Sequence, residues 1–252
     1  MSEMPTNSFL SALPHEDFRD LVHPHLNRLK LRAGQFLHHA GQSPERVVFP
    51  HSGVVALTLT EPWHLPTDSD SGGVVAALLG RKAIIGAVAA AAAVPATCNA
   101  KVLVSGNASD MSAATFRHLM NRNDSIRSLA AQFISDLTAH LEGMAYCHAK
   151  HTVEARLCRL LCEISNQSGQ KKILLVQDSL ARMLGVRRTT INQVLRTLIA
   201  DGLLKSRRGS LEIVDQDELG RRRCLCGLET NGYSIAPALD QLGDACSTTL
   251  NA

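Results

Sequence analysis

The sequence has no long hydrophobic run, since its longest apolar stretch, 83–96, is rich in alanine and shorter than the ~20 residues that cross a bilayer. Its first residues include Glu3 and no apolar stretch before Phe9, so we expect no signal peptide. The seven cysteines are an odd number and are scattered without a disulfide framework. Together these absences predict a cytoplasmic protein without a membrane segment.

Catalytic motifs are missing as well. The sequence has no nucleophile elbow, no glycine loop that would cradle a phosphate, and no zinc-hydrolase helix. We therefore expect that the protein is not an enzyme. The formal net charge of +3 is small for 252 residues, so any strong positive field must be local.

The segment 178–204 predicts a helix, a turn at Gly185 and a second helix. Apolar residues recur at helical spacing on both sides of the turn, as in a helix-turn-helix. The polar face of the second helix offers donors that suit phosphates and purine edges. These candidate DNA-binding residues are Arg187, Arg188, Thr189, Thr190, Asn192, Gln193 and Arg196. The alternative is an ordinary amphipathic helix pair with a solvated basic face.

A basic turn after the second helix predicts a wing. It contains Arg207 and Arg208 and lies between short apolar runs at 203–204 and 211–214, while 174–176 supplies an earlier strand of the same small sheet. From Lys171 to Arg208 there are nine basic residues and two acidic ones, so this segment carries +7. Such a concentration of positive charge is typical of phosphate binding.

The N-terminal half alternates short apolar stretches with breaks that contain glycine or proline. This spacing predicts an antiparallel β-barrel or jelly roll, with strands at 36–37, 47–49, 54–59, 74–79 and 102–104. Residues 9–21 suit a short helical segment on the outside of the barrel. The alanine-rich stretch 84–94 suits a short helix within the domain.

A long helical region joins the two halves. From 123 to 149 a narrow apolar stripe recurs every three or four residues, which suits a coiled-coil seam between two copies of the chain. The candidate dimerisation residues are Ile126, Leu129, Phe133, Leu137, Leu141 and Met144. The stripe alternatively packs on the chain's own β-domain. Shorter helices are expected at 112–121 and 151–166.

The order of these parts, and several of their sequences, resemble the Crp/Fnr superfamily of bacterial transcription regulators. The resemblance is carried by VVFPHSGVVAL (47–57), GRKAIIG (80–86), HTVEARLCRLL (151–161), LARMLGVRRTTI (180–191) and DGLLKSRRGSLEIVD (201–215). It implies an α+β protein with an N-terminal jelly-roll β-barrel, a long dimerisation helix and a C-terminal winged helix-turn-helix. The expected divisions are a sensor barrel at 1–122, the dimerisation helix at 123–149, the DNA-binding domain at 150–226 and a flexible tail at 227–252.

The resemblance also implies a homodimer that binds paired half-sites on double-stranded DNA and contacts RNA polymerase. The family places its base-contacting side chains at positions that correspond here to Arg188, Thr189, Asn192 and Gln193. Phosphates are contacted by Arg187, Arg196, Arg207 and Arg208. The alternative is a ligand-, metal- or redox-responsive regulatory protein whose barrel binds an effector other than cyclic AMP.

Two departures from the family concern the barrel. Members that bind cyclic AMP carry a Gly-Glu pair and, some ten residues later, Arg-Ser or Arg-Thr. Here Gly86 is followed by Ala87, and the arginine is replaced by the sequence ATCN (96–99). The carboxylate for the ribose hydroxyl and the guanidinium for the cyclic phosphate are both lacking. We therefore expect that the barrel does not bind cyclic AMP, and the effector is unknown.

The cysteines and histidines do not follow the spacing of a tight metal-binding motif. We therefore assign no metal and no cofactor from the sequence. The first cysteine is Cys98, which leaves no N-terminal cluster for iron–sulfur binding of the Fnr kind. Two hypotheses stay open. Cys147 and His151 are four residues apart on a helix and suit a metal or redox site, whereas Cys224 and Cys226, just past the wing, are expected to be exposed and open to oxidation.

Overall fold

The structure is a computed structural model of the chain and describes residues 6–59, 73–207 and 209–226. Its α-helices are α1 (Ser8–Ala12), α2 (Ala87–Ala92), α3 (Ala113–Arg122), α4 (Asp124–Lys150), α5 (Val153–Ser168), α6 (Gln177–Leu184), α7 (Arg188–Ala200) and α8 (Gln216–Arg222), and a π-helix (Asp17–Val22) and a 3-10 helix (His23–His25) follow α1. Its strands are β1 (Asn27–Leu31), β2 (Phe36–His38), β3 (Arg46–Pro50), β4 (Val54–Leu59), β5 (Val74–Leu79), β6 (Asn99–Val104), β7 (Gly106–Ser112), β8 (Lys172–Ile173), β9 (Leu204–Arg207) and β10 (Ser210–Ile213).

The N-terminal half is built from two antiparallel sheets around one core. One sheet has the strand order β1-β7-β3 and the other β2-β6-β4-β5. Leu31, Phe49, Val102 and Met111 are buried between them, and α2 and α3 close the same core. The predicted architecture of a β-barrel, a long helix and a C-terminal helix-turn-helix is confirmed.

Strands β4 and β5 are apolar at almost every position because both of their faces are covered. On β4, Val55 belongs to the barrel core, whereas its neighbour Val54 packs with the C-terminal helices. On β5, Leu79 faces the barrel core and Leu78 faces the helices. A sheet that is buried on both faces reads as a continuous apolar run instead of an alternating one.

Strand β5 is the last strand of its sheet, and side chains from the helical half cover its outer edge. Gln167 of α5 donates from Nε2 to the carbonyl of Leu78 at 3.1 Å. His148 of α4 lies with Nε2 3.3 Å from the carbonyl of Val75. An open strand edge exposes backbone groups that have no partner. These two contacts give partners to two carbonyls of that edge.

Helices α4 and α5 meet at a two-residue junction, His151 and Thr152. Asn123 caps the start of α4, accepting from the Ile126 amide at 2.8 Å, and Thr152 caps α5, accepting from the Ala155 amide at 3.3 Å. Such caps satisfy amide groups that have no partner within the helix. The long helix α4 and the next helix α5 are therefore separate, capped helices with a defined boundary at His151 and Thr152.

The apolar stripe of α4 lies mostly within the chain's own core. Ile126, Phe133 and Leu137 are buried against the barrel, and Met144 packs near the end of the helix. Of the two remaining predicted dimerisation residues, Leu129 is partly buried and Leu141 is 37% exposed. Most of the stripe thus packs on the chain's own β-domain, which is the alternative that the sequence left open. A seam between two copies of the chain stays a prediction.

Several predicted elements are confirmed and two details are wrong. The barrel strands, the alanine-rich helix, the helix before α4 and the helix after it all form where expected. Strands β1 and β7 were not predicted. The earlier wing strand is β8, at 172–173, whereas Leu174 and Val176 are exposed and outside any strand.

The predicted tail at 227–252 lies outside the described residues. None of the described helices is both long and apolar enough to span a membrane.

His140 makes the stability of this fold sensitive to acid. It is only 6% exposed on α4, and burial, together with the charge of Arg159, lowers the pKa of His140 to about 4. The folded state therefore favours neutral His140, and stability is lost as the pH falls from about 6.5 to about 4, by about 3 kcal/mol in all. We expect His140→Leu to reduce this acid-dependent loss in urea unfolding measured across that pH range.

The matched control is His15→Gln, because His15 is exposed. It should keep the acid-dependent loss of the parent protein. An identical loss in His140→Leu and the parent protein would contradict the assignment to His140.

Candidate nucleic-acid interface

Gly185 forms the turn between α6 and α7. Its φ of +63° lies in the left-handed region, which costs other residues energy because of their Cβ atoms. The Gly185 amide donates to the carbonyl of Arg182 at 3.0 Å, which closes the end of α6. The helix-turn-helix predicted from the sequence therefore forms, with the turn at the expected residue.

Buried leucine and isoleucine side chains determine which face of α7 meets solvent. Ile191, Leu195 and Leu198 pack into a core shared with α5, α6 and the small sheet of β8, β10 and β9. The opposite face of α7 is polar. Arg187, Arg188, Thr189, Gln193 and Arg196 are exposed, and Thr190 and Asn192 are partly buried.

Two side chains on this face have neighbours within the chain. Arg188 forms an ion pair with Asp178, with Nε 3.3 Å from Oδ1. Both side chains are exposed, so the pair contributes little to stability and opens readily. The Oδ1 atom of Asn192 is shielded from solvent and has no hydrogen-bond partner among the described residues. In this side-chain conformation the Asn192 oxygen is therefore not available to a molecule outside the chain.

The wing, formed by β9 and β10, lies beside α7, the second helix of the helix-turn-helix and its expected recognition helix. Strands β9 and β10 form an antiparallel hairpin, and Arg207 has its Nε 3.7 Å from Oε2 of Glu212. An open cleft between this hairpin and the start of α6 is lined by Asp178, Arg188 and Arg207, among others. The wing arginine and the helix arginine thus border one cleft. Arg208 lies outside the described residues.

Positive charge is concentrated on the surface of this domain. Every described basic residue of the predicted +7 segment is exposed, and together they surround the helix-turn-helix and the wing. They are Lys171, Lys172, Arg182, Arg187, Arg188, Arg196, Lys205 and Arg207. A surface of this kind attracts the phosphates of a nucleic acid.

The turn of the helix-turn-helix also packs on the barrel. A Cβ atom placed on Gly185 would lie 3.0 Å from Cγ2 of Val74. The guanidinium of Arg156 donates to the carbonyl of Leu184 and contacts Nδ1 of His148. Burial, followed by the charge of Arg156, lowers the pKa of His148 and favours the neutral ring. The neutral ring can accept from Arg156 at Nδ1 and donate from Nε2 to the carbonyl of Val75 on β5.

Four potential metal ligands meet where α4 ends. The ligand atoms of Cys147, His151, Cys224 and Cys226 all lie within 4.8 Å of one another. Two of these distances are 3.5 Å, between the Sγ atoms of Cys147 and Cys224, and 3.4 Å, between Cys226 Sγ and His151 Nδ1. Cys147 with His151, and Cys224 with Cys226, were two separate hypotheses from the sequence, and the structure brings the two pairs together.

The expected exposure of Cys224 is wrong. Cys224 is only 6% exposed because its side chain packs with Met144 and Cys147, and its amide donates to the carbonyl of Ala155 at 3.3 Å. Cys226 is half-buried. Burial raises the pKa of both the Cys224 and the Cys226 thiols, and a protonated thiol is a poor nucleophile. This environment does not favour the oxidation that the sequence suggested for Cys224 and Cys226.

The two positions that depart from cyclic-AMP-binding proteins carry apolar or small side chains in the structure. Gly86, with φ +83°, precedes α2, and Ala87 is buried in the barrel core. Ala96 is buried, and Cys98 is partly buried with its thiol pKa raised by that burial. Neither position presents a charged group.

Comparison with known proteins agrees with both halves of the fold. Residues 155–222 match a family model described as a Crp-like helix-turn-helix domain, and residues 28–123 match one described as a cyclic nucleotide-binding domain. No curated protein matches the chain.

Three solved structures illustrate the similarity. A putative transcriptional regulator of the Crp/Fnr family from Eubacterium rectale is 14% identical, with 86% of this chain and 98% of that chain covered and a TM-score of 0.67. FixK2 from Bradyrhizobium japonicum is 13% identical, with 79% and 98% covered and a TM-score of 0.59. The c-di-GMP responsive global regulator CLP from Xanthomonas campestris is 18% identical, with 76% and 95% covered and a TM-score of 0.59. At these identities the likeness shows the fold.

Proposed function

Because the chain belongs to the Crp/Fnr superfamily of DNA-binding transcription regulators, we propose that it acts as a homodimer on paired half-sites in double-stranded DNA. The observation that carries this proposal is the exposed polar face of α7, which borders one cleft with the wing and lies within the concentrated positive charge. Relatives of this kind are not enzymes. The protein is proposed to work in the cytoplasm, where it meets DNA and RNA polymerase.

The recognition helix is proposed to enter the major groove with its N-terminal half. Arg188 leaves Asp178 and donates both guanidinium arms to a guanine, because that geometry suits the O6 and N7 atoms of the base. Asn192 and Gln193 suit adenine, and Thr189 contacts a neighbouring base edge. The proposed phosphate contacts are Arg187, Arg196, Arg207 and, from the sequence alone, Arg208, and Thr190 is proposed to contact the DNA without a specified role.

The homodimer is proposed to form along α4. Leu141 is the predicted seam residue that is most open to a partner, and Leu129 is partly accessible. The four buried members of the stripe support the helix from inside the chain. Two recognition helices related by a twofold axis bind half-sites about one helical turn, or 34–36 Å, apart.

The barrel is proposed to respond to an effector other than cyclic AMP. The support for this is the buried Ala87 and the uncharged stretch 96–99 at the two positions where cyclic-AMP-binding members carry a carboxylate and a guanidinium. A bidentate arginine is difficult to replace at a phosphate site.

Arg188→Ala tests the assignment of the base contact. An operator is first obtained by selection from random DNA, and gel shifts are then measured at graded salt concentrations. We expect Arg188→Ala to weaken operator binding by about 1–3 kcal/mol and to relax the preference at one base pair, because one guanine loses its two hydrogen bonds. Binding to random DNA should change much less.

The control is Arg196→Ala, which removes a proposed phosphate contact and should weaken binding to the operator and to random DNA alike. Equal losses on both DNAs for Arg188→Ala would show that Arg188 contacts a phosphate instead. Failure of the protein to bind DNA at low salt would contradict the proposed function itself.

Calorimetric titration of the full chain with cyclic AMP tests the barrel. We expect no binding in the micromolar range, because neither Ala87 nor the stretch 96–99 supplies a charged side chain for the ribose and the phosphate. A relative that binds cyclic AMP, titrated in the same buffer, is the positive control. Saturable binding at micromolar concentrations or tighter would contradict this prediction.

A further inference from the structure

Three cysteines and one histidine come from two distant parts of the chain and surround one point at the end of α4. Cys147 and His151 lie one helical turn apart, and Cys224 and Cys226 follow α8. From this arrangement we propose that Cys147, His151, Cys224 and Cys226 bind one zinc ion, which joins the end of the long helix to the chain that leaves the DNA-binding domain.

The distances suit a single tetrahedral ion. With Zn–S bonds of about 2.3 Å and Zn–N bonds of about 2.0 Å, neighbouring ligand atoms of a tetrahedron lie about 3.5–3.8 Å apart. The Cys147–Cys224 pair, at 3.5 Å, and the Cys226–His151 pair, at 3.4 Å, are already near these values. No pair of ligand atoms is farther apart than 4.8 Å, so small side-chain rotations complete the site.

The ligand set indicates zinc. Three thiolates and one imidazole in tetrahedral geometry form one of the usual structural zinc sites, and soft sulfur ligands disfavour magnesium and calcium. An iron–sulfur cluster holds its cysteine sulfurs farther apart than one ion does, because iron atoms and bridging sulfides lie between them. Four ligand atoms gathered within 4.8 Å fit a single ion better.

Nearby charge supports an anionic site. Arg156 and Arg159 are both buried, and Arg159 pairs with Glu163 at 2.9 Å. Arg156 has no ion pair with any carboxylate of the described residues, but it lies close enough to Cys147 and Cys224 to interact electrostatically. A buried charge without a counter-charge is costly. Zinc with three thiolates carries −1, after the three thiol protons leave for solvent, and so supplies the missing negative charge.

The proposed ligands lie outside the two stretches that the family models match. One family model matches up to residue 123, and the other matches from 155 to 222, so Cys147, His151, Cys224 and Cys226 all lie outside both. The proposal therefore rests on the geometry of this chain's own residues and not on the family models.

The position of the site gives it a mechanical role. His151 is one of only two residues between α4 and α5, and the Cys224 amide donates to Ala155 near the start of α5. A zinc ion here restricts rotation of the DNA-binding domain about the end of α4. We expect this to raise operator affinity by holding the recognition helix in one orientation. This effect on DNA rests on the proposed function, whereas zinc binding does not.

Metal content of the purified full-length protein tests the site directly. After incubation with zinc and removal of the excess, we expect one zinc per chain by elemental mass spectrometry. Cobalt(II) in place of zinc should give thiolate-to-metal charge-transfer bands and the intense visible bands of four-coordinate cobalt. Cys226→Ser and His151→Ala should each lose tight zinc binding, and Cys98→Ser, a cysteine in the barrel, should keep it.

Circular dichroism shows whether each variant is folded, and the cobalt spectrum of the unaltered protein tests the site without any substitution. Three results would overturn the proposal: no retained zinc in the unaltered protein, equal retention by all variants, or a cobalt spectrum without thiolate bands. The absorption of an iron–sulfur cluster, or a Cys147–Cys224 disulfide that excludes metal, would also overturn it.

Operator binding by the zinc-loaded and zinc-free protein tests the mechanical role. We expect removal of zinc to weaken binding on the order of tenfold, within the usual range of coupling between two sites. Equal affinity of the two forms, or tighter binding without zinc, would contradict this role while leaving the measured zinc stoichiometry intact. Absence of DNA binding in both forms would instead contradict the proposed function.

Discussion

The outer face and the free edge of the β4–β5 sheet must be covered, and this constraint joins the two halves of the molecule. Val54 and Leu78 face away from the barrel core and are buried only because α5 and its neighbours pack on them. At the edge, the carbonyls of Val75 and Leu78 are contacted by His148 and Gln167. Removal of the helical half would leave an apolar sheet face and unpaired backbone groups in water.

Packing on this sheet also brings the turn of the helix-turn-helix close to the junction of α4 and α5. Gly185 packs on Val74 at the start of β5, and Arg156 connects the end of α6 to His148 on α4. Any event that changes the end of α4 therefore acts on groups that also hold the helix-turn-helix. The cluster of three cysteines and one histidine lies at this same junction.

Sequence reasoning succeeded where local pattern determines structure. The helical spacing of Ile191, Leu195 and Leu198 and the glycine at the turn were enough to predict the helix-turn-helix and its exposed face. It missed β7, whose sequence GNASDMS is mostly small and polar, because pairing with β1 and β3 makes it a strand. An apolar stripe predicts that Phe133 is buried but not which surface buries it. The cysteine–histidine cluster was missed because its two halves meet only in the folded chain.

Native-state hydrogen exchange of the full-length protein, measured at graded low concentrations of denaturant, tests most directly whether the sheet face couples the two halves. If it does, the slowly exchanging amides of β4, β5 and α5 open together with one shared free energy, as members of one cooperative unit. Opening of α5, α6 and α7 at a lower free energy, with β4 and β5 still protected, would contradict the coupling.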